Sequence, residues 1–98
     1  MNEPHPYWTY VLWSNSGERF YIGVTDDVPR RLQEHNTGVS KWTQRYAGSW
    51  QLIWQQQFPT LGEARSLENL LKRQKGGQGF FQHTGLDPAI FRRSSSGS

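Results

Sequence analysis

The chain contains no cysteine, a single methionine and no apolar run approaching the length of a membrane span. Without thiols there is no disulfide framework, no zinc ribbon and no cysteine nucleophile, which leaves oxygen and imidazole as ligands for any metal. Runs such as Tyr10 to Trp13 fall far short of the roughly 20 apolar residues that cross a bilayer. The opening Met-Asn-Glu-Pro-His has neither a basic start nor an apolar segment. The expectation is a protein without a membrane span, cytoplasmic in location. Hydrophobic residues make up only 34% of the 98 positions, which predicts a thin core, and the length leaves no room for a second domain. Eight Asp and Glu against eleven Lys and Arg give a net charge of +3, an excess that suits an anionic partner without demanding one.

What the chain does have is aromatic mass. Five Trp, five Phe and four Tyr each bring a large apolar surface, enough to mark the sequence as folded. The folded part is expected over residues 7–91. Residues 1–6, with two prolines, and 92–98, closing on a Ser-Gly tail, read as flexible termini.

Tyr7 to Ser14 and Arg19 to Val24 are β-prone runs joined by Asn15-Ser16-Gly17-Glu18, a turn signal, and together predict a hairpin. Asp26-Asp27 offers caps for a helix that accepts Pro29 in its first turn and runs to His35, before Asn36-Thr37-Gly38. Val39 to Ser49 reads as a basic, aromatic loop. Trp50 to Phe58 is a third strand with imperfect alternation, ended by Pro59. From Thr60 the period changes: Ala64, Leu67 and Leu71 recur at helical spacing to about Arg73, and Gly76-Gly77-Gln78-Gly79 breaks the pattern. A short final helix from Pro88 is the remaining expectation. The order is strand, strand, helix, strand, helix and a small third helix, an α/β fold with a three-stranded mixed sheet flanked by two to three helices.

A turn centred on Ser16-Gly17 pairs Tyr10 with Gly23 and Leu12 with Tyr21. Tyr10 and Tyr21 are then diagonal neighbours on one sheet face, roughly 7–8 Å apart between backbones. Gly23 leaves space opposite Tyr10 for ring packing or for the close approach of a ligand. Aromatic pairs are ordinary on sheets, so geometry alone leaves packing as the simpler reading.

Tyr21-Ile22-Gly23, Tyr10 eleven residues earlier, Arg31 ten residues later and His35 one helical turn beyond resemble the GIY-YIG nuclease superfamily. Glu68, four residues after Ala64, sits where these nucleases carry a metal-binding glutamate. The resemblance spans about Trp8 to Lys72 and is most specific over Tyr21 to Asn36. Small stand-alone bacterial members and the N-terminal domain of the excinuclease C subunit are nearest in layout. The first motif is Trp8-Thr9-Tyr10, which keeps only the tyrosine, and Gly76 to Phe81 stands where some members place a late polar residue.

The resemblance implies a divalent-metal-dependent DNA endonuclease that hydrolyses phosphodiester bonds, with Tyr10, Tyr21, Arg31, His35 and Glu68 as its catalytic set. Tyr10 would be base or water-positioner and Tyr21 a phosphate or water contact. Arg31 can grip a phosphate with two donors, or be a solvated arginine beside Arg30. His35 suits proton transfer, or closes a helix through its charge. Glu68 suits one Mg²⁺ or Mn²⁺ ion that keeps several waters, or forms an i, i+4 ion pair with Lys72. Lys41, Trp42 and Arg45, with Tyr46, interleave cations and aromatics as substrate-binding surfaces on nucleic-acid proteins do, although Trp42 and Tyr46 could equally cap a thin core. Gly23 would admit substrate closely. Two alternatives stand beside the enzyme: a nucleic-acid-binding module of the same fold with little intrinsic cleavage, and an interaction domain whose aromatics bind protein. A chain this small is expected to rely on DNA structure or on a protein partner for targeting.

Overall fold

The computed structural model describes residues 5–74 and 77–91. The expected flexible ends fall almost wholly outside these residues, as does Gly76 of the glycine-rich break.

Strand β1 spans Tyr7–Ser14 and strand β2 Arg19–Thr25, antiparallel in the expected register, with Tyr10 opposite Gly23 and Leu12 opposite Tyr21. The turn between them is closed by the Glu18 amide on the Ser14 carbonyl at 2.8 Å. Helix α1 covers Val28–Asn36, and its N-cap is Asp27, whose side chain accepts from the Arg30 amide. A 3-10 turn at Gln44–Tyr46 lies within the loop, strand β3 spans Trp50–Phe58 and helix α2 spans Leu61–Arg73. Thr60 caps α2 by accepting from the Glu63 amide and donating to the Glu63 carboxylate. Loss of such a cap costs about 1 kcal/mol.

The sheet order is β2-β1-β3, and both pairings are antiparallel. The sheet expected to be mixed is therefore antiparallel throughout. Its β2 and β3 strands do run the same way, but the crossover through α1 carries the chain past β1, which separates them.

A bulge between Val11 and Leu12 explains the imperfect alternation of β3. Val11 faces Trp54 but Leu12 faces Leu52, so Ile53 is the extra residue. A strict two-residue period would put Trp50, Leu52, Trp54 and Phe58 on one face. The bulge instead sends Trp50 and Leu52 to one core, and Ile53, Trp54 and Phe58 to the other.

Those two cores lie on opposite faces of the sheet. Val11, Trp13, Phe20 and Ile22 pack under Leu67 and Leu71 of α2 and Phe80. Tyr10, Leu12 and Trp50 form the other core, against Leu32 of α1 and Tyr46. Ala64 is fully buried, and its small side chain lets the α2 backbone approach β1 closely enough for the Thr9 hydroxyl to donate to the Ala64 carbonyl at 2.7 Å. Leu71→Ala, at a fully buried position, would cost about 2–5 kcal/mol.

Helix α3, Gln78–Thr84, was not expected and begins inside the supposed glycine break. Packing overrides propensity here: Phe80 is fully buried and Thr84 follows one turn later on the same side, while Phe20 meets Phe80 at 4.9 Å and Phe81 at 6.0 Å between ring centroids. Gly85 ends α3 at φ 77°, a left-handed position that glycine adopts without strain. The helix expected from Pro88 is a single 3-10 turn, Pro88–Phe91.

Candidate active site

The hairpin register brings the tyrosines together on the face covered by α1, with ring centroids 6.2 Å apart. Tyr10 is 1% exposed, and its ring lies across Gly23: a Cβ there would stand 2.6 Å from the Tyr10 hydroxyl. The space opposite Tyr10 is therefore filled by Tyr10 itself. Its hydroxyl bonds to His35 Nε2 at 2.9 Å, and His35 Nδ1 bonds to the Thr43 hydroxyl at 2.6 Å. Thr43 is in turn held by the Trp50 indole, which donates to its carbonyl at 3.0 Å. Asn36 fixes the end of the intervening loop, accepting from the Gly48 and Trp50 amides and donating to the Trp50 carbonyl.

Tyr10, Tyr21 and Gly23 border a cleft of about 650 Å³ that α1 closes with Arg31 and α2 with Arg65 and Glu68. The Arg31 guanidinium donates to Glu34 at 2.7 Å and retains 30% exposure, so it is aimed but not sealed off. Glu34 raises the Arg31 pKa above its already high value. Glu68 is 17% exposed and pairs with Lys72 at 3.0 Å. Arg30, outside Arg31 on the same helix, is engaged by Asp26 and Glu34.

Burial pushes the Tyr10 phenol well above its ordinary pKa, and the neighbouring Tyr21 adds to this against the opposing pull of Arg31. Burial also lowers the His35 imidazole to about 4, with the Arg31 charge assisting. At neutral pH both partners of the 2.9 Å contact are uncharged. A neutral imidazole has one N–H, so either Tyr10 donates to Nε2 while Nδ1 donates to Thr43, or both bonds run in reverse.

Residues 6–80 match the GIY-YIG catalytic domain family. The chain belongs to that family. It is 42% identical over 71 residues to a UPF0213 protein of Streptococcus pneumoniae serotype 4, covering 72% of this chain and 71% of the relative. To a UPF0213 protein of Xanthomonas campestris pv. campestris it is 32% identical over 94 residues, covering 94% of this chain and 91% of the relative. A UPF0213 protein of Aeromonas salmonicida is 34% identical over 72% of this chain and 52% of its own length. The GIY-YIG domain is a nuclease fold, so a nuclease-type function follows, with nucleic acid as the substrate it implies. Among the described residues no helix is long and apolar enough to cross a membrane.

Of the residues expected at a GIY-YIG site, Tyr10, Tyr21, Gly23, Arg31 and Glu68 all border the one cleft. His35 is fully buried and reaches the cleft only through Tyr10. Lys41, Trp42 and Arg45 lie outside the cleft: all three are exposed, and the Arg45 guanidinium sits 5.6 Å from the Tyr46 ring centroid. Trp42 caps no core, being 85% exposed. Three residues escaped the sequence reading, Glu34 beside Arg31 and two more. Arg65 lines the cleft, and among the described residues it has no carboxylate partner; its spacing of three from Glu68 on α2 was the available signal. Thr43, the support of His35, carried none.

The residues present fit a hard cation sparingly. Of the three carboxylates that line the cleft, Asp26 and Glu34 are paired with arginines of α1, which leaves the partly shielded Glu68, and no group of three or more acidic or imidazole side chains placed to hold an ion occurs among the described residues. One carboxylate with waters and substrate oxygens is a donor set suited to Mg²⁺.

Proposed function

We propose that this GIY-YIG domain is a divalent-metal-dependent DNA endonuclease that hydrolyses phosphodiester bonds in the cleft between α1 and α2. The observation that carries this reading is the convergence of Tyr10, Tyr21, Arg31 and Glu68, drawn from four elements, on a single cleft. Arg31, oriented by Glu34, binds the non-bridging phosphate oxygens through charge-assisted bonds and stabilises the charge that builds in the transition state. Glu68 would hold Mg²⁺ or Mn²⁺, which when bound neutralises phosphate charge and activates water. Tyr21, partly exposed at the cleft wall, positions the phosphate or the attacking water.

Tyr10 is too strongly held neutral to rest as a phenolate. In this mechanism it passes a proton on: the attacking water gives its proton to the Tyr10 oxygen as the Tyr10 proton moves to His35 Nε2 along the 2.9 Å contact. After burial, the Arg31 charge is the next influence that opposes charge on His35. A phosphate bound to Arg31 offsets that opposition, so substrate makes the imidazole a better acceptor. His35 thus acts behind Tyr10 and does not touch substrate.

The test incubates single-stranded, duplex and branched DNA with the protein and Mg²⁺ or Mn²⁺. Cleavage by the wild type, lost in Tyr10→Phe with DNA binding retained, is the expected result. A second reading, a binding module with little cleavage, draws on the Glu68–Lys72 ion pair, which engages the carboxylate assigned to the metal. It predicts binding without cleavage at any ion concentration.

A further inference from the structure

Beside the cleft, on the other side of Tyr21, lies a groove of about 560 Å³. Its wall is Trp42, an indole left 85% exposed. Trp50, 4% exposed and anchored through its indole nitrogen to the Thr43 carbonyl, contributes a fixed aromatic surface. Arg19 and Lys72 supply cations, and among the described lining residues there is no carboxylate, whereas the cleft carries three. Arg19 is held in place: its guanidinium lies 5.2 Å from the Tyr46 ring centroid, and its Nε donates to the Gly17 carbonyl.

We propose that this groove takes one unpaired nucleobase adjacent to the phosphate bound in the cleft, stacked on Trp42, with Arg19 and Lys72 on the neighbouring phosphate. The inference rests on the nuclease reading and narrows its substrate to strands with a base free of the duplex stack.

Three features single out this occupant. The groove is continuous with the cleft through Tyr21, which borders both, and through Lys72, whose partner Glu68 lines the cleft. A strand in the cleft therefore brings its next nucleotide to the groove. Cations without acids match a polyanion rather than an acidic or neutral peptide. A flat indole contributing nothing to either core is a stacking platform, and stacking tolerates any base because every base has a π-face. A base within a duplex is already stacked on its neighbours, and reaching Trp42 would require flipping it out.

Fluorescence anisotropy with chelator present measures binding of the intact protein to three probes: a single-stranded oligonucleotide, its fully paired duplex, and that duplex with one extrahelical base. Trp42→Ala is expected to weaken binding to the single strand and to the extrahelical-base duplex by about 5- to 150-fold, the range for loss of one stacked base. Binding to the paired duplex should stay within about twofold, as for an exposed substitution that leaves the fold intact. Trp42→Phe should restore most of the loss, which a merely misfolded variant would not do. Equal binding of unpaired probes by wild type and Trp42→Ala overturns the proposal. So does a loss as large on the paired duplex, or a wild type that binds none of the probes. Cleavage assayed in parallel with Mg²⁺ separates the two readings: binding that depends on Trp42 without cleavage sinks the nuclease and leaves the groove, whereas cleavage with binding indifferent to Trp42 does the opposite.

Discussion

Gly23→Ala tests the centre of the site through stability alone. The backbone at Gly23 does not require a left-handed conformation, so alanine is tolerated there as far as φ is concerned. Its methyl, however, would stand 2.6 Å from the Tyr10 hydroxyl and 2.8 Å from the ring carbon that bears it, so the ring must move. Tyr10 is 1% exposed and has nowhere to go without disturbing Leu12, Trp50 and its bond to His35. Overpacking of this kind costs about 1–3 kcal/mol, and a broken buried hydrogen bond adds about 1 kcal/mol. The smaller unfolded-state entropy of alanine returns about 0.4–1 kcal/mol. The net is roughly 1–3.5 kcal/mol, a fall in Tm of about 5–30 °C for a domain of this size. Circular dichroism during heating reads it directly. Tyr10→Phe removes the clashing oxygen, so it should cost less in the Gly23→Ala background than in the wild type, a coupling above about 0.5 kcal/mol. A Gly23→Ala protein as stable as the wild type, or strictly additive variants, would refute the close packing of Tyr10 across Gly23.

Arg31→Ala and Glu68→Ala should each abolish cleavage while Tm stays within a few degrees, since both are partly exposed; wild-type activity in either removes it from the mechanism. Lys41→Ala combined with Arg45→Ala should weaken DNA binding at low salt and reduce the salt slope by roughly one unit per lost phosphate contact, leaving turnover of saturating substrate unchanged. His35 makes stability depend on pH with a definite sign. Its folded pKa of about 4 lies below the unfolded value of about 6.5, so the unfolded chain takes up a proton that the folded protein refuses. Stability is therefore full above pH 6.5 and declines by up to roughly 3 kcal/mol as pH falls to 4, a decline that urea titrations should find flattened in His35→Gln.

The hairpin, the three strands and both long helices were legible because each announces itself locally: a Ser-Gly turn, an Asp27 cap behind Pro29, and a change of period after Pro59. The register that joins Tyr10 to Gly23 followed from the turn alone. The bulge at Ile53 was not legible, because it is set by the division of apolar residues between two cores that exist only after folding. Helix α3 was hidden for the same reason, with Gly77 and Gly79 arguing locally against a helix that the burial of Phe80 requires. At the site, the convergence of Tyr10, Tyr21, Arg31 and Glu68 on one cleft could be expected from the family resemblance, but the burial of His35 behind Tyr10 could not. Nothing in a His-Asn-Thr-Gly sequence says that Thr43, eight residues on, will fold back to hold the second ring nitrogen.

The order of the strands accounts for where such a site can exist. Arg31 is carried by α1 over one face of the sheet, and Glu68 by α2 over the other. Side chains from opposite faces cannot meet through the middle of a sheet, because β1 is paired on both sides and its residues are buried in the two cores. They can meet around an edge. Strand β2 is that edge, and it carries Tyr21 and Gly23 to the place where both helices overhang. A fourth strand paired outside β2 would separate Arg31 from Glu68 by a strand spacing of about 4.8 Å and fill the cleft with backbone. The small sheet is thus a condition of the chemistry: the open edge that invites aggregation in other proteins is here occupied by arginines and carboxylates from both sides, which protect it and give a phosphate its route to the tyrosines.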